Sequence, residues 1–192
     1  MDNVYWILLA FLLYALLQAF YFNDRTPIPE TSAHVRAVST MAELRSALSS
    51  SDRAIVDFYA DWCPPCRTIA PVFSRLSDEL HSGQGVSFVK VNVDKVPDAA
   101  KLYGVSAMPT FLFFRDGAPA GVPVAGLGLD LDTKRASAAV GLSADGALLE
   151  QVRGADEAVL EAAARALAAE SSSSAKGKAK GAKGKGNGKN SK

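Results

Sequence analysis

The chain has 192 residues, enough for one ordinary domain with extensions. Its two cysteines exclude the disulfide framework of a small secreted domain, and a hydrophobic fraction of 48% fits a chain with a packed core. The formal charge of +1 averages two unlike regions: seven of the 21 Lys and Arg fall in residues 176–192, leaving 14 against 20 acids elsewhere, so the overall charge says little about partners.

Residues 4–22 (VYWILLAFLLYALLQAFYF) are apolar except for Gln18. About 19 helical residues span roughly 28 Å, close to the hydrocarbon thickness of a bilayer. A cleaved signal peptide wants a basic start and a small-residue cleavage site, whereas here Asp2 leads and Ala19-Phe20-Tyr21-Phe22 closes the run. The reading is a transmembrane anchor over residues 1–23, followed by a polar, two-proline linker over 24–34.

Residues 35–170 read as one α/β domain. Strands are predicted over 35–39, 54–60, 86–93, 110–115 and 148–153. Helices are predicted over 41–48 with Thr40 as N-cap, and over 65–80, 97–103 and 156–169. That alternation implies a central mixed sheet covered by helices on both faces. Residues 118–146 interrupt it, and Asp116-Gly117-Ala118 recurs as Asp145-Gly146-Ala147. The segment is expected as a surface loop in the last hairpin, or else as a retained intron or gene-model error. It should sit at the end of the hairpin remote from Pro109 and Gly154. Residues 171–192 hold no bulky apolar side chain and are expected to be disordered.

The chemistry centres on Trp62-Cys63-Pro64-Pro65-Cys66, delivered by an apolar strand. Proline suits the first helical turn, where its missing N–H has no partner to lose. Cys63 then lies at the helix N-cap, where unpaired N–H groups and the positive dipole end stabilise a thiolate. Cys66, one turn further in, is placed to resolve a mixed disulfide formed at Cys63. Half a zinc site would need two further ligands, and His34 and His81 lack ligand spacing, so no metal is expected. Asp57 is a carboxylate in a strand that otherwise reads as buried. Burial would raise its pKa toward neutrality and suit it to exchange a proton with the resolving thiol. Alternation leaves open the other reading, that it points to solvent from an edge strand.

The stretches VDFYADWCPPCRTIAP (56–71), VKVNVD (89–94) and YGVSAMPTFLFF (103–114), in this order, resemble the thioredoxin family. The resemblance implies the thioredoxin fold. It makes Cys63 and Cys66 the redox pair and Asp57 the buried proton acceptor. Lys90 falls near that acid, and Pro71 kinks the active-site helix. Trp62, Pro64, Pro65, Met108, Pro109, Arg153 and Gly154 form the substrate face, Met108-Pro109 being the family's cis-proline loop. No cofactor is implied beyond the redox-active disulfide. The family usually carries Gly-Pro between its cysteines, and WCPPC is also the motif of tryparedoxin and nucleoredoxin. Pro64 removes an N–H that could stabilise the thiolate, which leaves the reduction potential open.

The function expected is protein-disulfide reduction at a membrane surface. Partners would be protein disulfides, an upstream reductase such as a thioredoxin reductase, and lipid through residues 4–22. The Lys-rich tail offers contact with an anionic surface. Arg25 after the span, with no basic residue before it, leans the domain toward the cytosol. The alternatives are a non-catalytic interaction module, or an oxidase or isomerase in the secretory lumen.

Overall fold

The computed structural model describes residues 2–21, 26–128 and 140–181. Strands β1 (Val35–Val38), β2 (Arg53–Tyr59), β3 (Val86–Asn92), β4 (Thr110–Arg115) and β8 (Leu148–Arg153) form the main sheet. β1, β3 and β2 run parallel to one another, β4 runs antiparallel to β2, and β8 antiparallel to β4, in the order β1-β3-β2-β4-β8. Helices α2 (Met41–Ser49), α3 (Pro64–Gln84), α4 (Pro97–Leu102) and α5 (Glu157–Gly181) accompany it.

Local chemistry sets the element ends. Thr40 accepts a hydrogen bond from the Glu43 N–H at 3.1 Å, while the Glu43 carboxylate accepts from the Ser39 N–H at 2.7 Å, a reciprocal cap for α2. Helix α3 stops at Gly85, whose φ of 63° is the left-handed region that glycine adopts without a side-chain clash.

Period-two side-chain alternation divides the core between the two faces. On one, Ile55 and Phe88 pack with Ile69, Phe73, Val159 and Leu167 of α3 and α5. On the other, Val56, Phe58 and Val89 pack with Leu44 and Leu48 of α2 and Ala99 of α4. The mixed sheet with helices on both faces is as expected.

Residues 118–146 depart from a plain loop. They contribute β5 (Ala118–Pro119), β6 (Val122–Pro123), a 3₁₀ turn (Val124–Gly126) and β7 (Val140–Leu142). β5 pairs with β4, and β6 and β7 pair with β8. Leu149 is the register partner of both Val122 and Leu142, so β6 and β7 flank β8 on opposite sides there. Val152 pairs with Phe111 of β4 and with Val140, which puts β7 on the side of β8 away from β4. The approach is close: a Cβ on Gly121 would stand 2.5 Å from Leu148 Cβ, and one on Gly141 2.4 Å from Gln151 Cγ. The expectation that the insertion stays at the remote end holds for β5 and β6. It fails for β7, which runs alongside β8 as far as Val152. Residues rich in Gly and Ala gave no strand-like period, so this pairing was hidden from pattern reading.

Two boundaries are corrected. Residues 26–34, expected as a linker, lie against the domain: Ile28 and Ser32 are buried, and Glu30 pairs with Lys90. Thr26 and Ile28 each precede a proline, which favours extended backbone in these residues and lowers the entropy lost on docking. The residues expected to be disordered from 171 onward begin as helix, since α5 continues to Gly181. Extending an existing helix adds one hydrogen bond per residue and needs no apolar core. Residues 182–192 lie outside the described set.

Helix α1 (Asp2–Tyr21) precedes the domain, with side chains described over 4–17. Its large apolar side chains from Val4 to Leu17 are all exposed. Among the described residues no helix is long and apolar enough to cross a membrane. Phe22, the end of the expected span, lies outside them.

Candidate active site

The C-terminal end of β2 leads through Ala60-Asp61-Trp62 into α3, and the cysteines stand at that junction. Cys63 is the N-cap of α3, with Pro64 and Pro65 in the first turn. Its sulfur accepts a hydrogen bond from the Cys66 N–H at 3.3 Å. Cys63 and Cys66 form a disulfide with Cα atoms 5.3 Å apart. Both are buried, at 3% and 1% exposure, so burial hardly separates them. Their helix positions do, because the capping sulfur faces the N–H groups that favour a thiolate.

Asp57 does not face solvent. β2 lies between β3 and β4, and the carboxyl is 5% exposed. Its Oδ1 has no hydrogen-bond partner among the described residues. Burial pushes its pKa up from 3.8 to about 7. A cavity of about 10 Å³ joins Asp57 to Cys66, with Ile28, Glu30, Tyr59 and Lys90 also in its wall. That is space for about one water molecule. Lys90 is the β3 residue in register with Asp57, and its ammonium lies 4.8 Å from the centre of the Tyr59 ring. Burial, with the Lys95 charge as a smaller contribution, lowers Lys90 to about 8.

Of the residues expected on the substrate face, the described ones differ in exposure. Pro64, Pro65 and Arg153 are exposed, Trp62 is 37% exposed, and Met108 and Gly154 are half-buried. Met108-Pro109 is cis, and Met108 packs on the cluster holding both cysteines. The Gly154 N–H donates to the Pro109 carbonyl at 2.7 Å, which fastens the end of β8 to this loop. Gly154 has φ of 81°, a conformation that a side chain would strain. Pro71 lies inside α3, where it interrupts the hydrogen-bond ladder beyond the cysteine pair.

Several residues that hold the site had not been singled out. Asp94 accepts from Trp62 Nε1 at 2.8 Å and so orients the indole. Asn92 Nδ2 donates to Asp61 at 2.9 Å, while the Asn92 side-chain oxygen accepts from the Asp94 N–H at 2.9 Å. Arg67 donates to the Asp61 carbonyl at 2.6 Å. Residues 86–93 read as a strand, and the polar Asn92 and Asp94 at its end are the available signal. Ile28 and Glu30 were missed because two prolines read as a linker. Ile28, the one large apolar residue of 23–33, was the hint.

Comparison with known proteins gives a consistent set of likenesses. The thioredoxin family profile matches residues 35–128. A "Thioredoxin-like protein" of Fusarium culmorum is 51% identical over 83 residues, covering 43% of this chain and 69% of that one. A thioredoxin of Neurospora crassa is 39% identical over 106 residues, covering 54% of this chain and 84% of its own. The crystal structure of Malassezia sympodialis thioredoxin superposes with a TM-score of 0.51 at 29% identity, covering 70% of this chain and 90% of that one.

Proposed function

The chain belongs to the thioredoxin family and is a thiol–disulfide oxidoreductase; on that premise we propose that it reduces protein disulfides at a membrane surface. The observation that carries the reading is the Cys63–Cys66 disulfide capping α3 beside a buried carboxyl.

In this reading the reduced Cys63 thiolate attacks one sulfur of a substrate disulfide. The substrate S–S bond breaks, a Cys63–substrate disulfide forms, and the leaving thiolate takes a proton from water. Cys66 then gives its proton to the Asp57 carboxylate and attacks the Cys63 sulfur. The Cys63–Cys66 disulfide forms and the second substrate thiolate leaves, so two electrons have passed to the substrate. An upstream dithiol reductase, of the thioredoxin reductase kind, restores the pair. Trp62, Pro64, Pro65, Met108, Pro109, Arg153 and Gly154 make the face on which the substrate peptide lies, with Met108 offering backbone groups to an extended strand. Lys90 and Pro71 support the site.

Residues 4–22 anchor the enzyme in this proposal. A helix apolar on every side needs an apolar surrounding, and α1 exposes its large apolar side chains along residues 4–17. Arg25 leans the catalytic domain toward the cytosol, where the Lys-rich tail would meet anionic lipid.

Insulin-disulfide reduction by the full-length chain tests the activity. The expected outcome is turnover with a dithiol donor and its loss in Cys63→Ser. Undiminished turnover in that variant would refute the reading.

A further inference from the structure

Residues 26–32 are held to the domain at four successive alternate positions. Arg67 donates to the Thr26 carbonyl at 2.5 Å. Ile28 is buried in a cluster with Tyr59, Ala60, Cys63 and Cys66, and its N–H donates to Asp61 at 3.4 Å. Glu30 forms an ion pair with Lys90. Ser32 donates to Asp78 at 2.6 Å and lies 2.8 Å from the Ser77 hydroxyl. Pro27 and Pro29 fall between these contacts and face outward. The segment therefore behaves as an extra extended element laid along α3, and its middle two contacts form part of the Asp57 cavity wall.

The consequence lies in where the Lys90 charge goes. Lys90 is the register neighbour of Asp57 and is 6% exposed, so a buried ammonium stands beside a buried carboxyl. Left alone, the two would pair, and Asp57 would become an ordinary ionised partner. Glu30 provides the competing carboxylate, on a side chain 32% exposed, and Lys90 is bound there while Asp57 Oδ1 has no hydrogen-bond partner among the described residues. Ile28 closes the same opening with an apolar side chain.

We propose that residues 26–32 are a strap that closes the mouth of the Asp57 cavity, with Glu30 a positioning residue that holds the Lys90 ammonium off the Asp57 carboxyl and so keeps that carboxyl out of an ion pair, ready for the proton of Cys66. This rests on the reading of Asp57 as proton acceptor. The charged and titratable groups facing Asp57 are Lys90 from β3, Glu30 from the strap, Cys66 from α3 and Tyr59 from its own strand. Asp61 lies beyond Tyr59, against the strap backbone. Replacing Glu30 by a neutral residue removes a negative charge and frees a positive one, and both changes favour the Asp57 carboxylate.

The test uses the full-length chain and a conservative change, Glu30→Gln. The Asp57 carboxyl is titrated by infrared difference spectroscopy, with Asp57→Asn as the blank, and the mixed-disulfide resolving rate is followed against pH. The expected result is a midpoint lowered by about one pH unit or more in Glu30→Gln, with the resolving step shifted alike. An unmoved midpoint would overturn the strap's role and leave Asp57's intact. A resolving step indifferent to Asp57→Asn would instead overturn the proton-acceptor reading. Ile28→Ser supplies a second measure, because alkylation of reduced Cys66 should quicken several-fold. Unchanged alkylation would refute the closure.

Discussion

Replacing Asp57 by Asn should make the protein more stable and the enzyme slower, and the gain in stability should depend on pH. The carboxyl is 5% exposed, Oδ1 has no partner among the described residues, and burial raises its pKa from 3.8 to about 7. In the unfolded chain the group releases its proton near its ordinary value. Between about pH 4 and 7 the folded chain therefore keeps a proton that the unfolded chain has lost. Folding stability falls as pH rises through that window, and the loss is complete above the folded value. At about 1.36 kcal/mol for each tenfold change in proton affinity, the rise to about 7 costs roughly 4 kcal/mol. Asn carries no charge at any of these pH values, so its stability should lack that slope. Equilibrium urea unfolding of the oxidised chain from pH 4 to 8.5 measures the difference. The two proteins should be nearly matched near pH 4, and Asn should lead by about 4 kcal/mol above pH 7.5. Parallel curves across the range would show that Asp57 titrates like a hydrated acid, and the argument from burial would fall.

Gly121→Ala should destabilise by about 1–3 kcal/mol, because its Cβ would meet Leu148 Cβ at 2.5 Å and neither atom can swing aside. Thermal unfolding reads the loss, while insulin reduction by the folded variant should be unchanged, since Leu148 opens β8 at the end away from Gly154. If the anchor faces as proposed, protease added outside intact microsomes should digest the catalytic domain without detergent. Protection until detergent is added would place the domain in the lumen and reverse the assignment of sidedness.

Much of this site is legible in the sequence, for reasons that differ by residue. Proline has few places in a helix, so Pro64-Pro65 put Cys63 at an N-cap. Asp57 was harder. Alternation assigns a side chain to a face, but only strand order says whether that face is covered, and strand order is a long-range fact. β2 between β3 and β4 answered it. The strap failed for a different reason. Pro27 and Pro29 mark extended chain, and extended chain looks the same whether it floats or docks. What docks it is Lys90, some 60 residues away in sequence, together with Asp61, Arg67 and Asp78. The insertion was misjudged because its strands are two or three residues long and find their partners only on β4 and β8.

The placement of β7 bears on how copies of this protein behave beside one another. A long terminal strand shows a row of unpaired N–H and C=O groups, a template onto which a second chain can add its own strand. Without the insertion, six-residue β8 would be that strand. With it, that side of β8 is covered by three-residue β7. The other edge of the sheet is four-residue β1, which pairs with β3 alone among the described strands, so both edges present short strands.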